Sequence, residues 1–287
     1  MTAQILDGRA LAKTMSGEIA AEVSRFQQDH GWVPGIAVVQ VGEDPASSWY
    51  VKQIEKSFAV AGMRFALHAL DEHADITTFS SLLQQLNLDP HTNGIIVQMP
   101  LPAHLPQSLV TDLLDPGKDV DGIHPLNAGH LLQQSGDAFA PATPSGGMEI
   151  LRRYGIDLKG KHAVMVGRSN VVGRPMALLM LHQHATVSIC HSRTQDIGAI
   201  ARQGDILVAA IGKAKFVTAD MIRPGAVVID FGVNVVEGTK IVGDVDTEAA
   251  KQVAGFITPV PGGTGPMTNI MLMTNTLTAA KRQAHRS

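Results

Sequence analysis

Two successive series of short apolar runs, each run followed by a segment of helical period, constrain the fold of this chain more than any other feature. After an opening helix expected over residues 8–29, the run Gly-Ile-Ala-Val-Val-Gln-Val at 35–41 has strand length and almost no polar residue. Asp44-Pro45 then reads as a helix start, the aspartate capping free N–H groups and the proline taking the first helical position. That helix should run to about Ala61 and stop at Gly62. A strand near 64–69, a helix near 76–88 and a buried strand at 94–98 follow, the last ending at the proline-rich MPLPAHLP. Strands joined through helices form parallel sheets, because the crossover helices cover the sheet faces.

The stretch 115–127 (DPGKDVDGIHPLN) reads as a loop, and the second series begins after it. Strands are expected at 163–166, 186–190, 206–211 and 226–230, with helices at 173–182 and 196–202. A last helix, 267–281, follows a Gly/Pro-rich turn and could cap either half. At 287 residues the chain should form two α/β domains, each burying its own core. The formal net charge is −3 and Lys and Arg are not clustered, which argues against nucleic acid or an anionic membrane as partner. The one cysteine, Cys190, cannot close an internal disulfide, and no 18-residue apolar run or signal-like N-terminus is seen. A cytoplasmic protein is expected.

The strongest local signal is KHAVMVGRSNVVGRPMALLMLHQHATVSICHSRT, residues 161–194. A strand ends at Gly167, a loop follows, a helix starts near Gly173 and a second strand ends near His191, which makes one βαβ unit. The loop is not GxGxxG, since Gly167, Ser169 and Val172 fill those places and Gly173 comes one place late. Glycines beside a helix N-terminus nevertheless suit a pyrophosphate, because free N–H groups and the positive dipole end point at it. The plainer alternative is a tight turn that any βαβ unit needs. An enzyme that uses NAD usually carries Asp or Glu at the end of the second strand. Here that place reads Cys190-His191-Ser192-Arg193, and Arg168 stands in the loop, a set that favours the extra phosphate of NADP. Alternatively both arginines are solvated surface charges.

A second constellation lies in the first half. Tyr50 and Ser47 share one helix face, Gln98 ends a buried strand, and Asp119 and Asp121 sit in the polar connection between the halves. Singly, each also reads as a helix-face aromatic, a loop-capping amide or turn formers. His182 and His184 lack the spacing of helical zinc ligands, and no HExxH, paired-Cys or GxSxG motif occurs, so neither metal nor serine hydrolase is indicated.

Taken together the segments resemble the bacterial bifunctional methylenetetrahydrofolate dehydrogenase/methenyltetrahydrofolate cyclohydrolase family. The motifs are LDGRALA from Leu6, VGEDPAS from Val41, VQMPLP from Val97, KDVDGIHPLNAG from Lys118 and VGRSNVVGRPMALL from Val166. They continue with CHSRT from Cys190, PGAVVIDFGVN from Pro224, GDVD from Gly243 and TPVPGGTGPMT from Thr258. The resemblance implies oxidation of 5,10-methylenetetrahydrofolate with NADP, then hydrolysis to 10-formyltetrahydrofolate, by a homodimer. It implies two α/β domains, the second a Rossmann-like parallel sheet, with a folate cleft between them and the C-terminal helix returning to the first. The corresponding boundaries are 1–120 plus 267–287 for the folate-binding domain and 121–266 for the NADP-binding domain.

Carried over residue by residue, the resemblance makes Tyr50, Gln98 and Asp121 catalytic, Asp121 binding the pterin. Ser47, Pro261, Gly262 and Gly263 join Tyr50, Gln98 and Asp121 around the folate. Gly167, Arg168, Ser169, Ser192, Arg193 and Val233 surround the cofactor. One departure stands out: the family pattern is Tyr-x-x-x-Lys, that lysine serving the cyclohydrolase step, and here the fourth residue after Tyr50 is Ile54. At about 100° per helical residue, Lys52 and Lys56 are each roughly 200° from Ile54 and do not replace it. A smaller departure is PATPSGG at Pro141–Gly147, where a Cys-Thr-Pro run is usual. The ranking is a dehydrogenase with weakened hydrolysis first, a fully bifunctional enzyme second, and a non-catalytic folate-binding paralogue third.

Overall fold

The structure, a computed structural model, describes residues 2–285 apart from the side chains of Pro45 and Ala46; Met1, Arg286 and Ser287, which the expected domains include, lie outside the described residues. The chain begins with β1 (Gln4–Ile5), α1 (Gly8–His30), β2 (Gly35–Val41), α2 (Pro45–Val60), β3 (Arg64–Leu70), α3 (Ile76–Leu88) and β4 (Gly94–Val97). Then come α4 (Ser108–Leu113), α5 (Pro125–Gln133), α6 (Ala142–Arg153), β5 (His162–Val166), α7 (Gly173–His182) and β6 (Thr186–Cys190). The remainder is α8 (Ile197–Ala201), β7 (Ile206–Ala209), β8 (Val227–Asp230), β9 (Asn234–Val236), β10 (Lys240–Val242), α9 (Thr247–Ala250), β11 (Phe256–Ile257) and α10 (Thr264–Ala284). No helix of the described residues is long and apolar enough to cross a membrane.

The chain divides into two compact units, Lys13–Ala142 with Asn269–Ser287, and Met1–Ala12 with Thr143–Thr268. This division differs from the expected boundaries at three places, the smallest being that residues 267–268 go with the later unit. Residues 1–12 go with the later unit because β1 pairs in parallel with β11, and residues 121–142 go with the earlier one.

In the unit built around 13–142, three parallel strands stand in the order β3-β2-β4. All of β2 except its last residue is buried, which is why its sequence is a continuous apolar run rather than an alternating one. Asp44 and Asp75 cap α2 and α3, their carboxylates accepting from Ser47 N and Thr78 N. Ala37, Val39, Ile95 and Val97 pack with Phe79, Leu83 and Leu86 in the core. A single parallel bridge ties this unit's later loop to β4: Ile95 N donates to Lys118 O at 2.7 Å and Ile95 bridges Asp119. The Lys118 ammonium donates to Leu86 O and Asp89 O, capping the carbonyl end of α3. The C-terminal part of α10 is tied to this unit. Asn275 Nδ2 donates to Val120 O, and Gln283 and Asn93 exchange two hydrogen bonds.

The other unit holds a six-stranded sheet in the order β1-β11-β8-β7-β5-β6, all parallel. Its core gathers Val164, Val166, Leu207, Ala209, Val228 and Ile257 with Ala201 and Ile222. Strands β9 and β10 form a separate antiparallel hairpin.

Candidate active site and nucleotide cavity

In the 13–142 unit the polar candidates gather at the carboxyl ends of the strands. Gln98 is the first residue past β4, and its N–H still donates to Val39 O of β2 at 2.8 Å. Beside it, buried Gln40 donates through Nε2 to Ser48 Oγ at 3.1 Å, fastening the first turn of α2 to the end of β2. Tyr50 follows on that helix and Ser47 precedes it, its N–H held by the Asp44 cap. Asp121 lies two residues beyond the Ile95–Asp119 bridge, in a turn closed by Gly122 N donating to Asp119 O. Burial, aided by the charge of Asp119, pushes the Asp121 carboxyl up to about 7. Burial and then the charge of Asp121 push the Tyr50 phenol above its usual range. Asp119 itself has another task. Fully enclosed, it accepts from Ile123 N, His124 N and Asn127 Nδ2 and so shapes the turn that presents Asp121.

The other unit carries a cavity of about 280 Å³ across the carboxyl ends of β6, β5 and β7. Gly167, Arg168, Ser169 and Ser192 line it, together with His191, Ile197, Ile211, Lys213 and Phe216. Gly167 has φ +128°, and a Cβ there would sit 2.2 Å from Ala210 O. A Cβ on Gly173 would sit 2.5 Å from Gly167 O, so both glycines let the backbone close at the start of α7. Ser169 Oγ accepts from Val172 N and Gly173 N. The donor set is cationic and hydroxylic, with no carboxylate among the lining residues, which fits a phosphate-bearing dinucleotide. Arg193 is exposed and does not line this cavity, and Val233, 66% exposed, does not either.

Sequence reasoning missed the frame behind the cavity. Buried Asp230, at the end of β8, accepts from Gly232 N, Asp244 N and Val245 N. Burial and the neighbouring Asp244 charge push its carboxyl up to about 6. Its own N–H donates to Thr258 Oγ1, and Thr264 Oγ1 donates to its carbonyl, which anchors the turn holding Pro261, Gly262 and Gly263. That turn also meets the start of α1. Arg9 N donates to Gly262 O, and a Cβ on Gly8 would overlap Gly263 O. The LDGR, VID, GDVD and PGG motifs are therefore one construction, and it belongs to the sheet unit rather than to that of Tyr50 and Asp121.

The family models match both halves of the chain. Residues 6–121 match the catalytic domain of tetrahydrofolate dehydrogenase/cyclohydrolase, and residues 141–284 match its NAD(P)-binding domain. The bifunctional protein FolD of Herpetosiphon aurantiacus is 52% identical over the whole of both chains. The chain belongs to the tetrahydrofolate dehydrogenase/cyclohydrolase family. Among solved structures, the FolD dehydrogenase/cyclohydrolase of Campylobacter jejuni has a TM-score of 0.95 at 42% identity, covering 98% of this chain and 99% of that one. The enzyme of Trypanosoma brucei, solved with NADP and an inhibitor, has a TM-score of 0.94 at 36% identity over the full length of both.

Within this tetrahydrofolate dehydrogenase/cyclohydrolase chain, Ile54 is fully buried, one helical turn beyond Tyr50. Val51 and Phe58, likewise buried, share the inward face of α2 with it. Lys52 and Lys56 are both exposed, as their angular offset from Ile54 requires. Asn269 of α10 donates weakly to Ser57 Oγ at 3.5 Å, while its own Oδ1 is buried with no partner among the described residues.

Proposed function

We propose that this protein is an NADP-dependent methylenetetrahydrofolate dehydrogenase whose cyclohydrolase step is weakened. The observation that carries the reading is the buried apolar side chain of Ile54 beside Tyr50, where the family lysine is replaced. In this reading the unit with Tyr50, Gln98 and Asp121 binds the folate, and Pro261, Gly262 and Gly263 of the other unit border it. Asp121, ionised, accepts hydrogen bonds from the pterin ring. Tyr50, held as a neutral phenol by its raised pKa, donates to the folate rather than acting as a base. Gln98 and Ser47 orient the one-carbon unit.

Gly167, Arg168, Ser169 and Ser192 would hold the phosphates of NADP, with Arg193 and Val233 at the periphery of the same site. When bound, the nicotinamide ring accepts the hydride, and the protein's part is to hold the donor carbon against it. Hydrolysis asks for more, because a water must be positioned and a proton moved, help worth ~10²–10⁴-fold in typical cases. An isoleucine supplies neither.

The bifunctional names of relatives at about 50% identity favour a second reading, in which both steps are retained. A paired assay decides. One preparation is given methylenetetrahydrofolate with NADP, then methenyltetrahydrofolate alone. The first reading expects NADPH formation with most product left as the methenyl compound. Methenyl decay well above the uncatalysed rate gives the second reading instead. A homodimer in the cytoplasm is part of the proposal, and light scattering of the purified chain tests the dimer.

A further inference from the structure

We infer that Lys213 is a phosphate-binding residue of the nucleotide cavity and that Asp244 sets its position. The inference rests on the NADP reading above and adds a residue that neither the motifs nor the comparisons assign. Lys213 lies in the loop leaving β7, on the wall of the cavity opposite Ser192, with the Gly167–Ser169 turn between them. Ala210 N donates to Val166 O, so this loop leaves the sheet beside the nucleotide turn.

The loop is gripped from behind. The buried carboxylate of Asp244 accepts from Ile211 N at 2.6 Å, Gly212 N at 3.0 Å and Lys213 N at 2.8 Å, and from Asn234 Nδ2 at 3.0 Å. Three successive N–H groups turned toward one carboxylate form the kind of concavity that binds phosphate elsewhere. Here the protein's own carboxylate fills it. A phosphate contact from this loop must therefore come from a side chain, and Lys213 is the cation available.

Two lysines in the loop have different surroundings. The ammonium of Lys215 lies 3.5 Å from Asp246, which neutralises it. That of Lys213 has no carboxylate within ion-pair distance among the described residues and stands 5.8 Å from the centre of the Phe216 ring. Phe216 lines the same cavity, with Ile197 and Ile211. An aromatic face steers a cation without discharging it. The result is an exposed, unneutralised ammonium on the rim of an apolar slot suited to an adenine, with Arg168 as the second cation.

The test measures binding in the absence of folate, so it does not depend on turnover. NADPH and NADH are titrated into the unaltered protein, Lys213→Met, Asp244→Asn and the double variant, followed by nucleotide fluorescence, with thermal melting as the control for folding. Lys213→Met should weaken NADPH about 5–10-fold, as expected for loss of one partly exposed charge-assisted contact. If NADH is unaffected, the partner is the 2′-phosphate. If both weaken equally, it is the pyrophosphate. Asp244→Asn should weaken NADPH in the same direction, and should add less than twofold once Lys213 is already methionine. NADPH affinity unchanged within twofold in a well-folded Lys213→Met overturns the inference. Full additivity of the two substitutions removes Asp244 from it. Failure of the unaltered protein to bind NADPH would instead overturn the cofactor reading.

Discussion

The two units build their sites from different materials. In the sheet unit the cavity is closed by backbone: Gly167 and Gly173 permit the turn, and Asp230 and Asp244 hold neighbouring loops through main-chain N–H groups. In the unit of Tyr50, Gln98 and Asp121, the fold sets the strand ends and the helix start, but the candidate functional groups are side chains. A backbone-built site survives many side-chain changes and fails when the chain path changes. A side-chain-built site can keep its fold and lose one reaction through a single substitution. In the reading proposed above Ile54 is such a substitution, in a helix capped by Asp44 and packed inward through Val51 and Phe58.

The sharpest way to break this comparison is Gly167→Ala. A φ of +128° excludes an ordinary L residue, and the new methyl group would overlap Ala210 O. Strain of this kind costs about 1–3 kcal/mol before the overlap is counted. NADPH binding should fall by at least about 100-fold and the melting temperature should drop with it. Affinity within threefold of the unaltered protein would show that the turn does not carry the cofactor.

Asp121→Asn probes the other material. If the carboxylate accepts from the pterin, its loss should lower kcat/KM for methylenetetrahydrofolate by ~10–100-fold, the range for hydrogen bonds to a charged group. NADPH affinity should stay unchanged. Because the carboxyl is pushed up to about 7, it ionises late. KM for the folate should therefore fall as pH rises from 6 to 8 in the unaltered protein and stay flat in the variant. Stability runs the other way. A carboxyl raised above its unfolded value of about 3.9 contributes stability that is fully present below that value. That contribution is lost as pH rises through about 7. At pH 8 Asp121→Asn should thus melt no lower than the unaltered protein, and a clear loss there would argue against the buried carboxylate.

Much of this was legible in the sequence because period and burial coincide. The strand at 35–41 and the helices at 76–88 and 173–182 lie where their apolar spacing places them, since each buries one continuous face or run. Strands β1 and β11 have two residues each, too short to show a period, and β1 moves the N-terminus from one unit to the other. Helix α6 was not expected, because Pro144, Gly146 and Gly147 are residues that helix interiors disfavour. A Cβ on Gly147 would overlap the Phe231 ring, so the glycine serves close packing inside a helix. At the sites, the nucleotide turn and the Tyr50–Asp121 pair were visible as motifs. Lys213 was not, because an isolated lysine beside a glycine carries no pattern until Asp244 is seen holding its loop.

Ile54→Lys sharpens the comparison at the position itself. Ile54 is fully enclosed, so an ammonium placed there must be buried or must displace its neighbours. Stability should fall by ~2–4 kcal/mol, the range for a disrupted core position or a poorly solvated polar group. Burial should also hold the new amine below its ordinary pKa, which favours a proton-accepting form near neutrality. Methenyl hydrolysis should rise about tenfold, short of the full general acid–base contribution because the enclosed site has not been shaped around an amine. Lys52→Ala and Lys56→Ala in the unaltered protein should leave hydrolysis as it was, since both side chains are exposed on other faces of α2. A folded Ile54→Lys with no gain would mean that position 54 alone does not limit the step.

The smallest effects separate the two arginines that the sequence places near the 2′-phosphate. Arg168 lines the cavity beside Ser169 and Ser192, whereas Arg193 stands outside it, its N–H donating to His191 Nδ1. Both side chains belong to exposed residues, so each contact is worth less than a buried charge pair would be. Arg168→Met should weaken NADPH about 5–10-fold and leave NADH nearly unchanged, because only the former carries the additional phosphate. Arg193→Met should change NADPH by less than about twofold, mainly through long-range attraction, and that remnant should vanish in 0.5 M salt, where screening acts within a few ångströms. Equal losses from the two arginines, persisting at high salt, would mean that Arg193 turns inward to grip the phosphate. The side-chain contribution to the nucleotide site would then be larger than its backbone construction implies.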